Sequence, residues 1–143
     1  MSKRPEFETD AFKAGLKLRT AVLGHAAVER SLADTDDFSA PLQQLVTEHG
    51  WGHVWARPGL ERKTRSFLNL AMLTALNRGH ELRVHIRGAL NNGITPEEIR
   101  EVFIHAALYC GAPAALESTR IASEVLKEVA QEKTQTGLPQ ADA

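Results

Sequence analysis

The feature of the sequence that most constrains its fold is a helix stop followed almost at once by a helix start. Asn91-Asn92-Gly93 offers residue types that adopt the left-handed conformation found at helix C-termini. Thr95-Pro96-Glu97-Glu98 combines an N-cap, a proline suited to the first helical turn and a glutamate that completes a capping box. Two helices are therefore predicted on either side of a very short connection.

The rest of the chain also carries apolar residues at helical spacing, and no segment combines strict alternation with β-branched residues. The predicted helices cover residues 7–23, 26–32, 39–50, 60–77, 78–93 and 95–109, with a last helix after Gly111-Ala112-Pro113. We therefore predict an all-α fold for the 143 residues, in a single domain. Its ordered core should span about 7–130, followed by a polar tail over 131–143.

Two stretches give more specific expectations. Residues 50–59, GWGHVWARPG, are predicted to be an ordered connection with at most a short helical turn. The helix over 60–77 should have a wide apolar face, and the next helix should also face the core. These two predicted sets are Phe67, Leu68, Ala71, Met72, Ala75 and Leu76 in the first helix and Leu82, Ile86, Ala89 and Leu90 in the second.

Charge and cysteine content exclude several classes of protein. The formal net charge is -1, so no overall field attracts nucleic acid or an anionic membrane. No apolar run approaches the roughly 20 residues that cross a bilayer, and the N-terminus lacks the apolar segment of a signal peptide, so we expect a cytoplasmic protein. The one cysteine, Cys110, has no partner for an internal disulfide and is expected to be a small core residue.

The helix over 78–93 carries the candidate catalytic residues. Glu81 and His85 are four residues apart, so they share a helix face, and Arg78 extends that face. The alternative is a surface ion pair that contributes a few tenths of a kcal/mol. A metal site is not expected, because His80 and His85 are five apart and lie about 140° from each other around a helix.

The two tryptophans of the connection, Trp51 and Trp55, have two interpretations. Either they anchor the loop by packing, or they form a pocket wall or a subunit contact, where tryptophan is favoured.

Several motifs in order resemble the carboxymuconolactone decarboxylase family over nearly the whole chain. They are GLKLRTAVLG (15–24), ERSLADTDDF (29–38), WGHVWARPGL (51–60), TRS (64–66), LAML (70–73), GHELRVHIRGALNNGITPEEIREV (79–102) and YCGAPA (109–114). The resemblance implies an all-helical, alkylhydroperoxidase-D-like fold that assembles as homo-oligomers, commonly hexamers built from trimers. The peroxidase branch has a Cys-x-x-Cys-x-x-x-His motif. Here Arg78 and Glu81 occupy the cysteine positions before His85, which excludes disulfide chemistry.

The resemblance also implies an activity. It is the decarboxylation of 4-carboxymuconolactone to 3-oxoadipate enol-lactone and CO₂, in the protocatechuate branch of the β-ketoadipate pathway, with no cofactor and no metal. Family members that catalyse isomerisation or lactone chemistry on another small acid are an alternative, as is a non-enzymatic oligomeric scaffold.

Residue roles follow from that implied reaction. His85 and Glu81 would act as a unit, one of them delivering a proton, with Glu81 favouring the protonated form of the imidazole. Arg78 and Arg65, and with less support Arg57, would bind the acetate arm and the lactone oxygen of the dianionic substrate. Trp51 is the expected pocket-wall residue in this assignment.

Overall fold

The structure, a computed structural model, describes residues 4–135, and over that range all regular structure is helical, as predicted. The elements are a 3₁₀ turn (Pro5–Phe7), α1 (Asp10–Leu23), α2 (His25–Ala33), α3 (Ala40–Leu45), a π-helix (Val46–Val54), α4 (Arg62–Ala75), α5 (Gly79–Asn91), α6 (Pro96–Cys110) and α7 (Ala112–Gln135). They form two compact units: unit 1 extends to Ser66 and unit 2 begins at Phe67, within α4. Among the described helices, none has the length and apolar character that crossing a membrane requires.

The predicted helix stop and start at residues 91–98 are confirmed. Gly93 has φ +84°, a left-handed conformation that glycine adopts without steric penalty. The capping box is complete: the backbone N–H of Glu98 donates to Thr95 Oγ1 at 3.2 Å, and the Thr95 N–H donates to Glu98 Oε2 at 2.9 Å. Gly111, at φ +96°, makes the break between α6 and α7 that the sequence predicted.

Unit 1 is organised by the close packing of α1 against the π-helix. The approach is possible because Gly15 has no side chain: a Cβ at that position would lie 2.0 Å from the carbonyl oxygen of Thr47. Gly52 faces α1 in a similar way: a Cβ at Gly52 would lie 3.3 Å from the carbonyl oxygen of Ala11. Small residues on both helices thus set the distance between their backbones.

A buried arginine of α1 joins this helix to three other elements of unit 1. Arg19 on α1 donates to Gln43 Oε1 at 3.0 Å, to Thr47 Oγ1 at 3.2 Å and to Ser31 Oγ at 2.9 Å. Burial among these uncharged groups lowers the pKa of Arg19 from its usual value. The three hydrogen bonds offset part of the desolvation of the guanidinium and fix how α1, α2 and the segment after residue 40 meet.

The predicted helix stop at Gly50 is wrong, and the connection predicted over 50–59 is confirmed only over 55–59, where the chain forms turns. The chain continues as a π-helix through Val54, and its last turn shows the wider spacing, since the Trp55 N–H donates to the Gly50 carbonyl at 2.9 Å. Glycine often ends a helix, but here Gly52 permits the close contact with α1 that stabilises the π-helix.

Unit 2 has a continuous apolar core built from α4, α5, α6 and α7. Its buried members are Leu70, Leu82, Ile86, Ala89, Ile94, Ile99, Phe103, Ile121, Ala122 and Val125. The prediction for α5 is confirmed, with Leu82, Ile86 and Ala89 buried and Leu90 packed against the cluster.

The apolar face predicted for α4 coincides only in part with the face that this helix buries. The buried positions of this helix are Ser66, Leu70 and Thr74, whereas Leu68 and Met72 are about half exposed. Thr74 satisfies its hydroxyl by accepting a 3.0 Å hydrogen bond from Ser118 on α7. The helix therefore buries a row that includes polar residues, and it turns much of its apolar row outward.

Two further expectations are corrected. Cys110 is exposed rather than part of the core, because it is the last residue of α6. The helix α7 runs through Gln135, so it includes the first five residues, 131–135, of the expected polar tail. The rest of that expected tail, 136–143, lies outside the described residues.

Charged residues hold α5 against α7. Arg87 donates to Glu128 Oε2 at 2.7 Å and to Glu132 Oε2 at 3.0 Å, and Arg83 donates to Glu128 Oε1 at 2.6 Å and also to Glu124. The two arginines lower the pKa of Glu128 from its usual value. This ladder keeps α5, and the side chains it carries, in a fixed rotation relative to α7.

Candidate active site

The helix α5 presents the two candidate catalytic groups one turn apart. Glu81, in the first turn, is exposed, while His85 is half-buried beside the core residues Leu82 and Ile86. Arg78 is the N-cap residue, with φ -96° and ψ 69°, so it lies just outside the helix and is exposed. The structure thus gives α5 one partly desolvated base and two solvent-accessible charges near its N-terminus.

A residue of α4 contacts the imidazole of His85. Asn69 Nδ2 lies 3.2 Å from His85 Nδ1, across the hairpin formed by α4 and α5. Both residues belong to unit 2 and both are partly buried. An amide nitrogen carries only donors, so this contact is a hydrogen bond when Nδ1 of the imidazole presents its lone pair.

Glu81 favours the protonated form of His85, as expected, but it does not determine the direction in which the pKa of His85 is shifted. Burial lowers the pKa of His85 from its usual value, and the Glu81 carboxylate, which raises the pKa, is the smaller influence. Glu81 is exposed, so water screens its field, whereas the desolvation of the ring acts directly. His85 is therefore neutral near pH 7.

Asn69 was not identified from the sequence. A signal was nevertheless present, because this asparagine interrupts the apolar run from Phe67 to Met72. An amide in such a run needs a hydrogen-bond partner when the helix packs. The sequence could not name that partner, which comes from the next helix.

The two tryptophans contact each other within unit 1. The rings of Trp51 and Trp55 stack with their centroids 4.8 Å apart and an angle of 25° between their planes. Trp51 is 5% exposed and Trp55 is partly buried. Trp51 is thus packed within unit 1, and Trp55 lines a cleft.

That cleft lies within unit 1 and has a volume of about 460 Å³. Its lining includes the apolar side chains of Leu18, Trp55 and Leu60, and its exposed rim carries the charged groups of Lys17, Arg57, Glu61 and Arg62. Three cations and one carboxylate give the rim a net positive charge. A small organic anion with an apolar body fits this combination of volume, lining and charge.

Arg65 and Arg57 meet through the backbone. Arg65 Nη2 donates to the carbonyl oxygen of Arg57 at 3.1 Å, so the guanidinium of Arg65 holds the loop before α4. The side chain of Arg57 is exposed at the rim of the cleft. Of these two candidates, Arg57 has the more accessible guanidinium.

Comparison with known proteins identifies the family. The model of the carboxymuconolactone decarboxylase family matches residues 40–124, which is more than half of the chain. The chain belongs to this family. The match includes the π-helix and α5, and so includes both Glu81 and His85.

Two curated relatives match over most of their length. The chain is 45% identical over 118 residues to 4-carboxymuconolactone decarboxylase from Acinetobacter baylyi, covering 82% of this chain and 88% of the relative. It is 43% identical over 124 residues to nitrosuccinic acid decarboxylase from Metarhizium robertsii, covering 87% of each. Both names describe the loss of a carboxyl group from a small acid, and the substrates differ.

Proposed function

We propose that this protein decarboxylates 4-carboxymuconolactone to 3-oxoadipate enol-lactone and CO₂ without a cofactor, in the β-ketoadipate pathway. The observation that carries the proposal is the 45% identity to a decarboxylase of that name over 82% of the chain. The half-buried His85, one turn from Glu81, supplies groups suited to the reaction.

The substrate determines what the protein must supply. Its γ-carbon bears the carboxylate that leaves and an acetate arm. When the bond to the leaving carboxylate breaks, the electron pair moves through the ring double bond into the lactone carbonyl and forms a dienolate. Protonation at the α-carbon then gives the product, so one proton is consumed for each CO₂ released. The lactone carbonyl is the electron sink, so the reaction requires oxyanion stabilisation and one proton donor.

We assign oxyanion stabilisation to His85 and proton transfer to Glu81. A neutral imidazole donates one N–H hydrogen bond well, but it is a poor acid for protonating carbon. Glu81 is an exposed carboxylate that can accept a hydrogen bond from water, so we propose that a water molecule held by Glu81 gives its proton to the α-carbon, and that bulk solvent then neutralises the hydroxide that is left. A well-placed donor to a developing oxyanion contributes about 3 kcal/mol to transition-state stabilisation, and a positioned acid contributes about 10²–10⁴-fold in rate.

We also propose that arginines bind the acetate arm and the lactone oxygen rather than the leaving carboxylate. An arginine on the leaving group would stabilise the ground state, and only stronger binding of the transition state accelerates the step. Arg78 is the first candidate because it lies at the N-terminus of the helix that carries Glu81 and His85. Arg65, Arg57 and the pocket-wall role of Trp51 remain proposals.

A second candidate substrate is a nitro-substituted dicarboxylic acid, favoured by the 43% identity to the nitrosuccinic acid decarboxylase. In such an acid the nitro group can accept the electron pair that the lactone carbonyl accepts in the first candidate. Both reactions place negative charge on an oxygen atom and then need a proton at carbon. The same donor and acid would serve either substrate.

We further propose that the protein is a cytoplasmic homo-oligomer, a hexamer built from trimers. The support is the family resemblance together with exposed apolar side chains on α4 and α6. Contacts between copies would cover these side chains.

Two assays on the purified protein test the function. The first follows the loss of ultraviolet absorbance of the butenolide ring of 4-carboxymuconolactone. The second measures the rate of CO₂ release from nitrosuccinate, and the two rates are compared. We expect a kcat/KM for 4-carboxymuconolactone well above that for nitrosuccinate. Substitution of His85 by Ala should lower it by about 10²–10³-fold. The exposed His25→Ala variant is the matched control. Turnover of neither acid by folded protein would refute the proposed function.

A further inference from the structure

We infer that Asn69 is a positioning residue that holds His85 in the tautomer with the proton on Nε2, so that Nε2–H is the group offered to the substrate oxyanion. The inference deepens the proposed function and rests on it for the identity of the oxyanion. The assignment of the tautomer itself is based on a contact between two side chains of unit 2, Asn69 on α4 and His85 on α5.

The contact has the geometry of a directed hydrogen bond. Asn69 Nδ2 lies 3.2 Å from His85 Nδ1, and the donor comes from α4 while the acceptor belongs to α5. An amide nitrogen has only donors, so Nδ1 must present its lone pair. In a neutral imidazole the single proton then resides on Nε2.

The packing around Asn69 and His85 keeps these two side chains in contact. Each of the two residues precedes a core residue: Asn69 precedes Leu70, and His85 precedes Ile86. The side chains of Leu70 and Ile86 are fully buried in the core of unit 2. The arginine ladder to α7 fixes the rotation of α5 by way of Arg83 and Arg87, on either side of His85. Neither helix can rotate without disrupting this packing, so Asn69 stays opposite the imidazole.

The hydrogen bond also selects the charge state of His85. A second proton could enter only at Nδ1, where it would face the N–H of Asn69 instead of a lone pair. Asn69 therefore acts with burial, and against Glu81, in keeping the ring neutral. A neutral donor suits a decarboxylase, because an imidazolium would also attract the leaving carboxylate and stabilise the ground state.

The tautomer can be measured without substrate. In ¹⁵N-labelled protein, long-range ¹H–¹⁵N correlation spectra give the Nδ1 and Nε2 shifts of each of the six histidines, and the spectrum of the His85→Gln variant assigns His85 by difference. We expect wild-type His85 near pH 7.5 to be neutral with the proton on Nε2. A proton on Nδ1 would overturn the inference.

Two variants separate positioning from simple packing. In Asn69→Asp the carboxylate accepts rather than donates, so the proton should move to Nδ1 and the pKa of His85 should rise. In Asn69→Leu, which keeps the size without the hydrogen bond, both tautomers should be populated. Asn91→Asp, at an exposed position on the same unit, is the control for added charge. An unchanged tautomer in both Asn69 variants would refute the role.

Kinetics give a second readout. Asn69→Asp should lower kcat on the order of 10²-fold, the penalty for a misplaced reacting group, with a small change in KM. If the spectra show the expected tautomer and no decarboxylation is found, the proposed function fails and the positioning role stands. If the protein turns over the lactone but Asn69→Asp retains wild-type kcat, the catalytic part of this inference fails.

Discussion

At the scale of single residues, two influences oppose each other at His85. Desolvation disfavours the imidazolium, and the carboxylate of Glu81 favours it. The outcome depends on exposure: His85 is half-buried, whereas Glu81 is in water, where its field is screened. A pair that looks like an ion pair by spacing is thus a neutral base beside a solvated carboxylate.

This balance predicts how activity responds to pH. If neutral His85 is the active form, kcat/KM rises with pH through the His85 pKa, which lies below its ordinary value, and then stays level. Glu81→Gln removes the influence that raises this pKa, so NMR titration of His85 should give a lower midpoint than in wild type. Glu101→Gln, on the exposed face of α6, should leave the midpoint unchanged. A midpoint that rises in Glu81→Gln would contradict the prediction.

Sequence reasoning reached part of this site. The pairing of Glu81 with His85 follows from helical spacing alone, because both are on α5. The partner Asn69 and the direction of the His85 pKa shift do not follow, since one depends on which residue of α4 faces the ring and the other on how deeply the ring is buried. The exposure of Cys110 was not predictable either, because it also depends on how the helices pack.

At the scale of elements, most helix ends were predictable because local chemistry determines them. The capping box at Thr95 and Glu98 and the glycines at 93 and 111 act through backbone geometry within a few residues. The π-helix over 46–54 was not predictable, because the sequence around Gly50 and Gly52 is compatible with two structures, a helix end and a closely packed helix. A glycine ends a helix in isolation, and it also permits close packing against another helix.

The packing of α1 against the π-helix gives a stability prediction. Gly15→Ala should lower the free energy of unfolding by about 1–3 kcal/mol, because the added Cβ would meet the Thr47 carbonyl oxygen, which belongs to backbone and cannot move aside cheaply. Gly59→Ala is the matched control, since a Cβ there meets no atom within 4 Å and the change should be neutral or slightly stabilising. Urea unfolding followed by circular dichroism measures both. Equal stability of the two variants would mean that this helix contact tolerates an extra methyl group.

At the scale of the whole molecule, some of the apolar residues at helical spacing are buried in the core and others are exposed on the surface of the chain. The apolar face predicted for α4 exists, but Leu68, Met72 and Leu76 form an exposed row with an i, i+4, i+8 spacing. A sequence pattern gives the same signal for a helix face buried within one chain and for a face buried between chains. Single exposed leucines need no explanation, whereas a contiguous row is typical of an interaction surface.

We expect two surfaces to lie between copies of the chain: this outward-facing row of α4 and the end of α6, where Leu108 and Tyr109 are 79% and 73% exposed. We expect light scattering at micromolar concentration to give a multiple of the 15.7 kDa chain mass, with a hexamer as the proposed state. Met72→Glu and Leu108→Glu should each reduce the assembled fraction, because a charge buried between copies is strongly unfavourable without a partner. Both side chains are exposed in the single chain, so circular dichroism should show folded protein. Lys127→Glu, an exposed position on α7, provides the control for a charge change and should leave the assembly intact. A wild-type protein that is monomeric throughout this concentration range would refute the proposed assembly, and the exposed rows would then need another partner.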